Sequence, residues 1–265
     1  MILRRLGNKS KLADKIISYF PKDITCFIDL FFGTGSITWR MLDLFPNINY
    51  IGNDIDENIH NLWLVLIDED KKIKLHDLIY YFPYTTSSYK FVLKEFKPLT
   101  DIEKVFKFLI LSNFSLYGKS SSLRIVAYQN NSKFFFLDSI IKIRLDKLKF
   151  VQFNNLNFKD FVLPVSCPEN RPNCINGQFV YADPPYIGTK GNYDIFTEND
   201  SNDLFEKLCN SDLRFAYSEF DNPFILEQAK QRNLNVIILG ERRNLGNRRT
   251  EILVTNYETE RSLFD

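Results

Sequence analysis

The chain has 265 residues, 45% hydrophobic and 25% charged, the balance of a soluble globular protein that can bury one large α/β domain or a core domain with an insert. Its formal net charge of +1 does not announce a polyanion partner, though a neutral protein can still gather positive charge on one face. There is no apolar run of about 18 residues to cross a membrane, and Met1 to Gly7 lack the apolar stretch of a secretory signal. Cys26, Cys167, Cys174 and Cys209 are scattered, and the only histidines, His60 and His76, lie far from the one close cysteine pair. That is not zinc-ligand spacing, so no metal is expected, and a reducing cytoplasm suits the thiols.

In chain order, Lys11 to Phe20 reads as a helix, with Leu12, Ile16 and Phe20 on one face. Cys26 to Phe31 is a short apolar run, followed by a glycine turn, Phe32-Gly33-Thr34-Gly35-Ser36, and a helical stretch to Phe45, which is how a βαβ unit opens. Ile48 to Gly52 is a second strand ending in Asn53 and Asp54, and Glu57 to Ile67 is helical. This alternation predicts a parallel sheet. From about Asp68 to Leu148 the rhythm is lost: helical patches at Ile102 to Leu111 and Leu137 to Leu148 bracket a polar stretch, Asn113 to Lys133, expected as an exposed loop or hairpin. Phe150 to Phe153 is a strand and Val162 to Gly177 a Pro-containing loop. Then come strand Gln178 to Ala182, helix Ser201 to Leu208, strand Phe215 to Ser218 and helix Pro223 to Arg232. Val236 to Leu239 and Ile252 to Asn256 are expected as the last strands, with a basic turn between them.

The strongest chemical signal is Asp183-Pro184-Pro185-Tyr186, directly after the strand Phe179 to Ala182. Ligands of open α/β sheets sit beyond the carboxyl ends of the strands. Two prolines stiffen the loop and remove two N–H groups, leaving carbonyls free to accept. A carboxylate and a fixed carbonyl are the two acceptors that an aromatic amine needs for its two N–H bonds, and Tyr186 offers a face on which a base could stack. A Pro-rich turn after a buried strand is the plainer reading. The second signal is Asp29-Leu30-Phe31-Phe32-Gly33-Thr34-Gly35, whose glycines allow close approach of a ligand. A dinucleotide fingerprint would want a third glycine where Thr38 stands, which disfavours a nicotinamide or flavin site. The third is Asp54, a carboxylate placed to accept both hydroxyls of a ribose. Each acid could equally be a helix cap, and the joint occurrence in order on strand ends favours a site.

With Leu6-Gly7-Asn8-Lys9, Asp29 to Ser36, Asn53-Asp54-Ile55, Asp183 to Tyr186 and Asn247-Arg248-Arg249-Thr250-Glu251-Ile252-Leu253-Val254-Thr255-Asn256-Tyr257, the chain resembles the Dam-type DNA adenine N6-methyltransferases over nearly its whole length. The resemblance implies an α/β, Rossmann-like S-adenosylmethionine-dependent methyltransferase sheet with helices on both faces, spanning 1–68 and 149–265. It also implies an inserted, mostly helical target-recognition subdomain at 69–148 with a loop or hairpin. Leu6, Gly7 and Lys9 would lie at the methionine end of the cofactor, with Lys9 on its carboxylate. Asp29, Phe31, Gly33 and Gly35 would surround the methionine moiety, Asp54 would bind the ribose, and Asn157 and Phe158 the cofactor's adenine. Relatives often carry an acid or Ser at the position of Asn157. Asp183, Pro184, Pro185 and Tyr186 would hold the target adenine, with Asp183 also at the cofactor. Relatives that methylate GATC carry an Asn-Gly-Leu-type hairpin where this chain has Ser112 to Arg124, so that specificity is not carried over.

The implied reaction is direct methyl transfer to N6 of an adenine flipped out of duplex DNA, without a metal, releasing S-adenosylhomocysteine. Phosphates would be held by Arg242, Arg243, Arg248 and Arg249, four arginines in eight positions, with Lys119, Arg124, Lys133 and Lys190. Base readout would come from Asn113, Ser115, Lys119 and Arg124. A cognate restriction enzyme acting separately is a candidate partner. The rival readings are an enzyme of the same fold acting on RNA adenine or another amine, and a non-catalytic cofactor-binding, DNA-binding relative.

Overall fold

The computed structural model describes residues 3, 9–116, 119–123, 145–163, 177–188, 196–244 and 247–259; of these, 115–116, 119–123, 145–146, 242–244 and 247–248 are described by their backbone alone. Leu6, Gly7, Arg124, Lys133, Lys190, Cys167 and Cys174 lie outside the described residues. The chain divides into two compact units, one of Lys9–Ile55 with Asn154–Asp265, the other of Met1–Asn8 with Asp56–Phe153.

In the first unit, α1 (Ala13–Ser18) leads to β1 (Cys26–Asp29), α2 (Ser36–Leu44) and β2 (Asn49–Asn53). Then come β6 (Gln178–Ala182), α8 (Glu198–Cys209), β7 (Arg214–Phe220), α9 (Pro223–Gln231), β8 (Asn235–Asn244) and β9 (Asn247–Thr255). With β5 (Val151–Asn154) these strands form one seven-stranded sheet in the order β5-β2-β1-β6-β7-β9-β8. β1 pairs in parallel with β2 and with β6, and β6 in parallel with β7. β9 lies antiparallel between β7 and β8. All five residues of β6 are buried, as a strand covered on both faces requires. One face of the central strands is aromatic: Phe20 lies 4.6 Å from Phe179 and 5.6 Å from Tyr181, and Phe27 lies 6.2 Å from Phe179. The alternate residues Ile28, Val180 and Ala182 pack on the opposite side with Leu204, Phe205 and Leu208 of α8 and with Ile225 and Ala229 of α9. Of the chain's 25 phenylalanines, twelve are buried among the described residues.

From β1 the chain moves to β2 on one side, and from β6 to β7 on the other. The gap between the carboxyl ends of β1 and β6 is therefore the switch point of a doubly wound, Rossmann-like sheet, where ligands of such sheets bind.

The second unit holds α3 (Glu57–Ile67), α4 (Glu69–Tyr81), α5 (Thr86–Lys94), α6 (Asp101–Phe114), the antiparallel hairpin β3 (Ser115–Leu116) and β4 (Lys119–Leu123), and α7 (Leu145–Leu148). α6 packs against α3, α4 and α5 through buried Val105, Phe106, Leu109 and Ile110. α4 and α5, where the sequence showed no rhythm, start at side-chain caps: Asp68 accepts from Lys71 N and Thr85 from Ser88 N. α8 begins three residues before its expected start because Thr197 and Asp200 form a capping box. Among the described residues no helix is long and apolar enough to cross a membrane.

The last two strands correct the expected basic turn. They extend to Asn244 and Asn247, so the arginines stand inside a ribbon with Arg242 opposite Arg249 and Arg243 opposite Arg248. β9 pairs with β7 only from Glu251 onward, and the ribbon continues beyond that edge after an irregularity between Ile238 and Gly240. The segment lacks apolar alternation, so its strand character comes from pairing rather than from its own pattern.

The glycine turn after β1 gives a stability test. Gly35 has φ +68°, and a Cβ there would lie 2.7 Å from the Phe32 ring and 3.0 Å from Trp39 Nε1; a Cβ on Gly52, across the same ring, would lie 2.5 Å from it. The ring cannot retreat. Gly188 shares the left-handed backbone (φ +71°) but has nothing within 4 Å. Gly188→Ala should cost about 1–2 kcal/mol of backbone strain, and Gly35→Ala roughly 1–3 kcal/mol more for overpacking. Urea unfolding measures both, and equal losses would remove the crowding argument.

Candidate active site at the carboxyl ends of β1 and β6

β1 ends on Asp29, which is 2% exposed. Thr38 Oγ1, from the first turn of α2, donates to Asp29 Oδ2 at 2.7 Å, while Oδ1 has no hydrogen-bond partner among the described residues. Burial pushes this carboxyl up to about 7; the Thr38 bond opposes that, and the charges of Asp183 and Asp54 add to it. Beyond it, Gly33 at φ +50° turns its amide onto Asp54 Oδ2 at 2.7 Å, and Gly35 N donates to Phe32 O at 2.7 Å. A β-carbon on Gly33 would meet nothing nearer than 3.9 Å, so the turn leaves open space.

Asn53 fastens the strand ends together. Its amide donates to Leu30 O (3.2 Å) and Leu156 O (3.0 Å), and its oxygen accepts from Leu156 N (3.1 Å). Asn155 Nδ2 donates to Asp54 O at 2.7 Å. Asn157 spends its side-chain oxygen on Lys159 N at 3.0 Å, a local Asx turn, while Phe158 packs in a triangle with Phe31 (5.5 Å) and Phe196 (5.9 Å). The structure thus brings Asp29, Phe31, Gly33, Gly35, Asp54, Asn157 and Phe158 into one unit, and adds Phe196.

At the end of β6, Asp183 keeps 17% of its side-chain surface exposed, and Lys9 Nζ donates to its Oδ1 at 2.7 Å. The same ammonium lies 3.0 Å from Glu251 Oε1 and 4.5 Å from the centre of the Tyr186 ring. Lys9, expected on a cofactor carboxylate, is thus paired with two carboxylates of the protein. Tyr186 is buried rather than presented as an open stacking face: its hydroxyl donates to Glu251 Oε1 at 2.7 Å, and its ring meets Phe220 edge-on at 4.5 Å. Burial, with the charges of Asp183 and Glu251, raises the Tyr186 hydroxyl well above its usual range, so it stays a donor. Burial also raises Asp183, against the charge and hydrogen bond of Lys9. Just past the tetrapeptide, Ile187 N donates to Glu219 Oε2 at 3.2 Å and Phe220 N to Glu219 Oε1 at 2.8 Å. Burial pushes Glu219 up to about 8 against those two amides.

Glu219 and Glu251 were missed as site residues, although Glu219 stands among the mostly apolar residues Phe215 to Phe220 and Glu251 directly adjoins the apolar run Ile252 to Val254. That misfit was the available signal. Of the expected DNA contacts, Asn113 donates to Leu109 O at 3.0 Å at the end of α6, Ser115 lies on β3 opposite Leu123, and Lys119 on β4 opposite Leu116. Arg249 places its guanidinium 5.2 Å from the centre of the Phe220 ring.

A partly exposed carboxylate and a glycine turn thus stand side by side at the switch point of a Rossmann-like sheet. Residues 6–252 match the D12 class of N6 adenine-specific DNA methyltransferases, and the chain belongs to that family. Modification methylase StsI of Streptococcus sanguinis is 25% identical over 297 aligned residues, covering 97% of this chain and 43% of that protein. The chain therefore spans less than half the length of this curated relative. A solved structure assigned as a methylase, HI0767 of Haemophilus influenzae, aligns over 97% of this chain and 92% of its own at 12% identity, with a TM-score of 0.35.

Asp29 carries a pH prediction. Its carboxyl rises from 3.8 to about 7 on folding, so the folded state holds this proton more tightly. The stability from this group is complete below about pH 4 and is lost as pH climbs through 7. Asp29→Asn cannot titrate there, so the variant should gain on the wild type between pH 5 and pH 8 in urea unfolding. A stability difference that ignores pH would mean that Asp29 ionises normally.

Proposed function

We propose that the protein transfers a methyl group from S-adenosylmethionine to N6 of an adenine flipped out of duplex DNA. The observation that carries this reading is Asp183: a partly exposed carboxylate at the switch point that already grips an N–H donor, Lys9, at 2.7 Å. Two prolines follow it, so the loop is stiff and its carbonyls compete with no N–H of their own. An exocyclic amine entering there would give one hydrogen to Asp183 and the other to a loop carbonyl. Its lone pair is then directed out of the ring plane.

The residues after β1 fit the cofactor. Asp29 Oδ1, buried with no partner among the described residues, suits the ammonium of the methionine moiety. Gly33 leaves the backbone bare beside it, Asp54 suits a ribose, and Leu6, Gly7, Phe31, Gly35, Asn157 and Phe158 are proposed as further walls. S-adenosylmethionine supplies an electrophilic methyl group and leaves as S-adenosylhomocysteine. Asp183, with its affinity for a proton raised by burial, accepts the proton that N6 sheds once the new N–C bond has formed. Positioning of this kind is worth up to roughly 7–11 kcal/mol.

We further propose that 69–148 is the target-recognition segment, reading bases through Asn113, Ser115, Lys119 and Arg124. The phosphates would be held by the ribbon arginines Arg242, Arg243, Arg248 and Arg249, together with Lys133 and Lys190. A DNA substrate implies action in a bacterial or phage-host cytoplasm. The relative's name, a modification methylase, suggests a separate cognate restriction enzyme.

Incubation with S-adenosylmethionine and unmethylated genomic DNA, followed by single-molecule sequencing, should reveal N6-methyladenine at one short motif. Asp183→Ala should abolish those marks and leave cofactor binding intact. Marks on RNA alone, or equal loss of both activities in a folded Asp183→Ala protein, would refute the assignment. Arg248→Ala should weaken DNA binding uniformly across sequences and lower the salt slope by about 1. An unchanged slope would take Arg248 off the phosphates.

A further inference from the structure

Glu251 has no part in the chemistry above, yet it is 1% exposed and its Oε1 collects both groups that flank Asp183. It accepts from Lys9 Nζ at 3.0 Å and from the Tyr186 hydroxyl at 2.7 Å. Its position is fixed by the sheet: β9 sets Glu251 opposite Phe220 of β7, whose ring holds Tyr186 edge-on. Lys9 Nζ in turn occupies Asp183 Oδ1 at 2.7 Å, on the carboxylate that an incoming amine needs. A buried ammonium that loses its only carboxylate is left as an uncompensated charge, at strong cost. Lys9 therefore needs a second acceptor within reach before it can yield Asp183.

Resting on the methylation reading, we propose that Glu251 is a positioning residue that retains the Lys9 ammonium and the Tyr186 hydroxyl while the target amine takes over Asp183. Without the Glu251 charge, Lys9 would remain on Asp183 and compete with the amine. Cofactor affinity would not depend on it.

Asp183 is faced by Lys9 from the segment before α1, Asp29 from β1, Tyr181 from β6 and Tyr186 from its own loop. Among the described residues, Tyr217 and Glu219 from β7 and Glu251 from β9 face it as well. Of these, the Glu251 charge opposes the ionisation of Asp183. The test compares wild type, Glu251→Gln and Glu251→Asp by single-turnover methylation of duplex DNA, by S-adenosylmethionine Kd, and by NMR titration of a ¹³C-labelled Asp183 carboxyl. In Glu251→Gln the methylation rate should fall roughly 10- to 100-fold at unchanged Kd, and the Asp183 titration should move to lower pH. Glu251→Asp, which keeps the charge, should leave that titration in place and lose less rate. A wild-type rate in Glu251→Gln overturns the proposal. So does a lowered rate with an unmoved Asp183 titration, which is what a merely structural role would give. If Glu251→Gln does not fold, Glu251→Asp decides: a lowered rate at unchanged Kd supports the role, and a wild-type rate overturns it. A wild type inert on DNA defeats the methylation reading instead, and a Glu251-dependent Asp183 titration would then still support the shared Lys9.

Discussion

Carboxylates crowded at one end of a sheet cannot all stay ionised in a buried setting unless something meets their charge, and the strand ends here carry Asp29, Asp54, Asp183, Glu219 and Glu251. Among the described residues Lys9 is the one buried cation beside them. Two solutions are used at once. Asp29 and Glu219 are pushed toward the protonated form, to about 7 and about 8, with burial the largest cause in each. Asp183 and Glu251 instead share the Lys9 ammonium. The sharing matters for chemistry, because the acid that holds the ammonium and stays partly exposed is the one on the stiff Pro184-Pro185 loop.

The sheet makes this crowding unavoidable and useful. Parallel pairing of β1 with both β2 and β6 brings Asp29 beside Gly52 on one side and Tyr181 on the other, so the turns that follow emerge together. Asn53 ties the β1 end to the segment after β5 through three hydrogen bonds, and Phe32 is wedged between Gly35 and Gly52. Such fixation leaves the Gly33 and Gly35 backbone little freedom to reorganise. Preorganised donors and acceptors are what transfer chemistry requires.

What could be read from the sequence was what is local. A strand, a glycine turn and a helix announce themselves within about twenty residues, and Asp183 to Tyr186 carries its chemistry in four. α4 and α5 stayed hidden because their lysines and exposed aromatics, among them Tyr81 and Phe91, blur the apolar stripe; only caps at Asp68 and Thr85 mark them. Lys9 and Asp183 are 174 positions apart, and Tyr186 and Glu251 are 65 apart. Nothing in either neighbourhood specifies the other, since register between distant strands makes those meetings. The basic turn was misread for the same reason: Arg242 to Arg249 have no strand pattern of their own and become strands by extending a pairing that begins in the core.

That extension has an energetic consequence. Like charges directly opposed across antiparallel strands are destabilising, and the backbone register sets arginine opposite arginine twice, at Arg242–Arg249 and Arg243–Arg248. The ribbon holds because β9 is anchored between β7 and β8 at its other end, and because Arg249 rests on the Phe220 ring, which rests on Tyr186, which lies under Lys9. A line of aromatic and cationic groups thus runs from the ribbon to the counter-ion of Asp183.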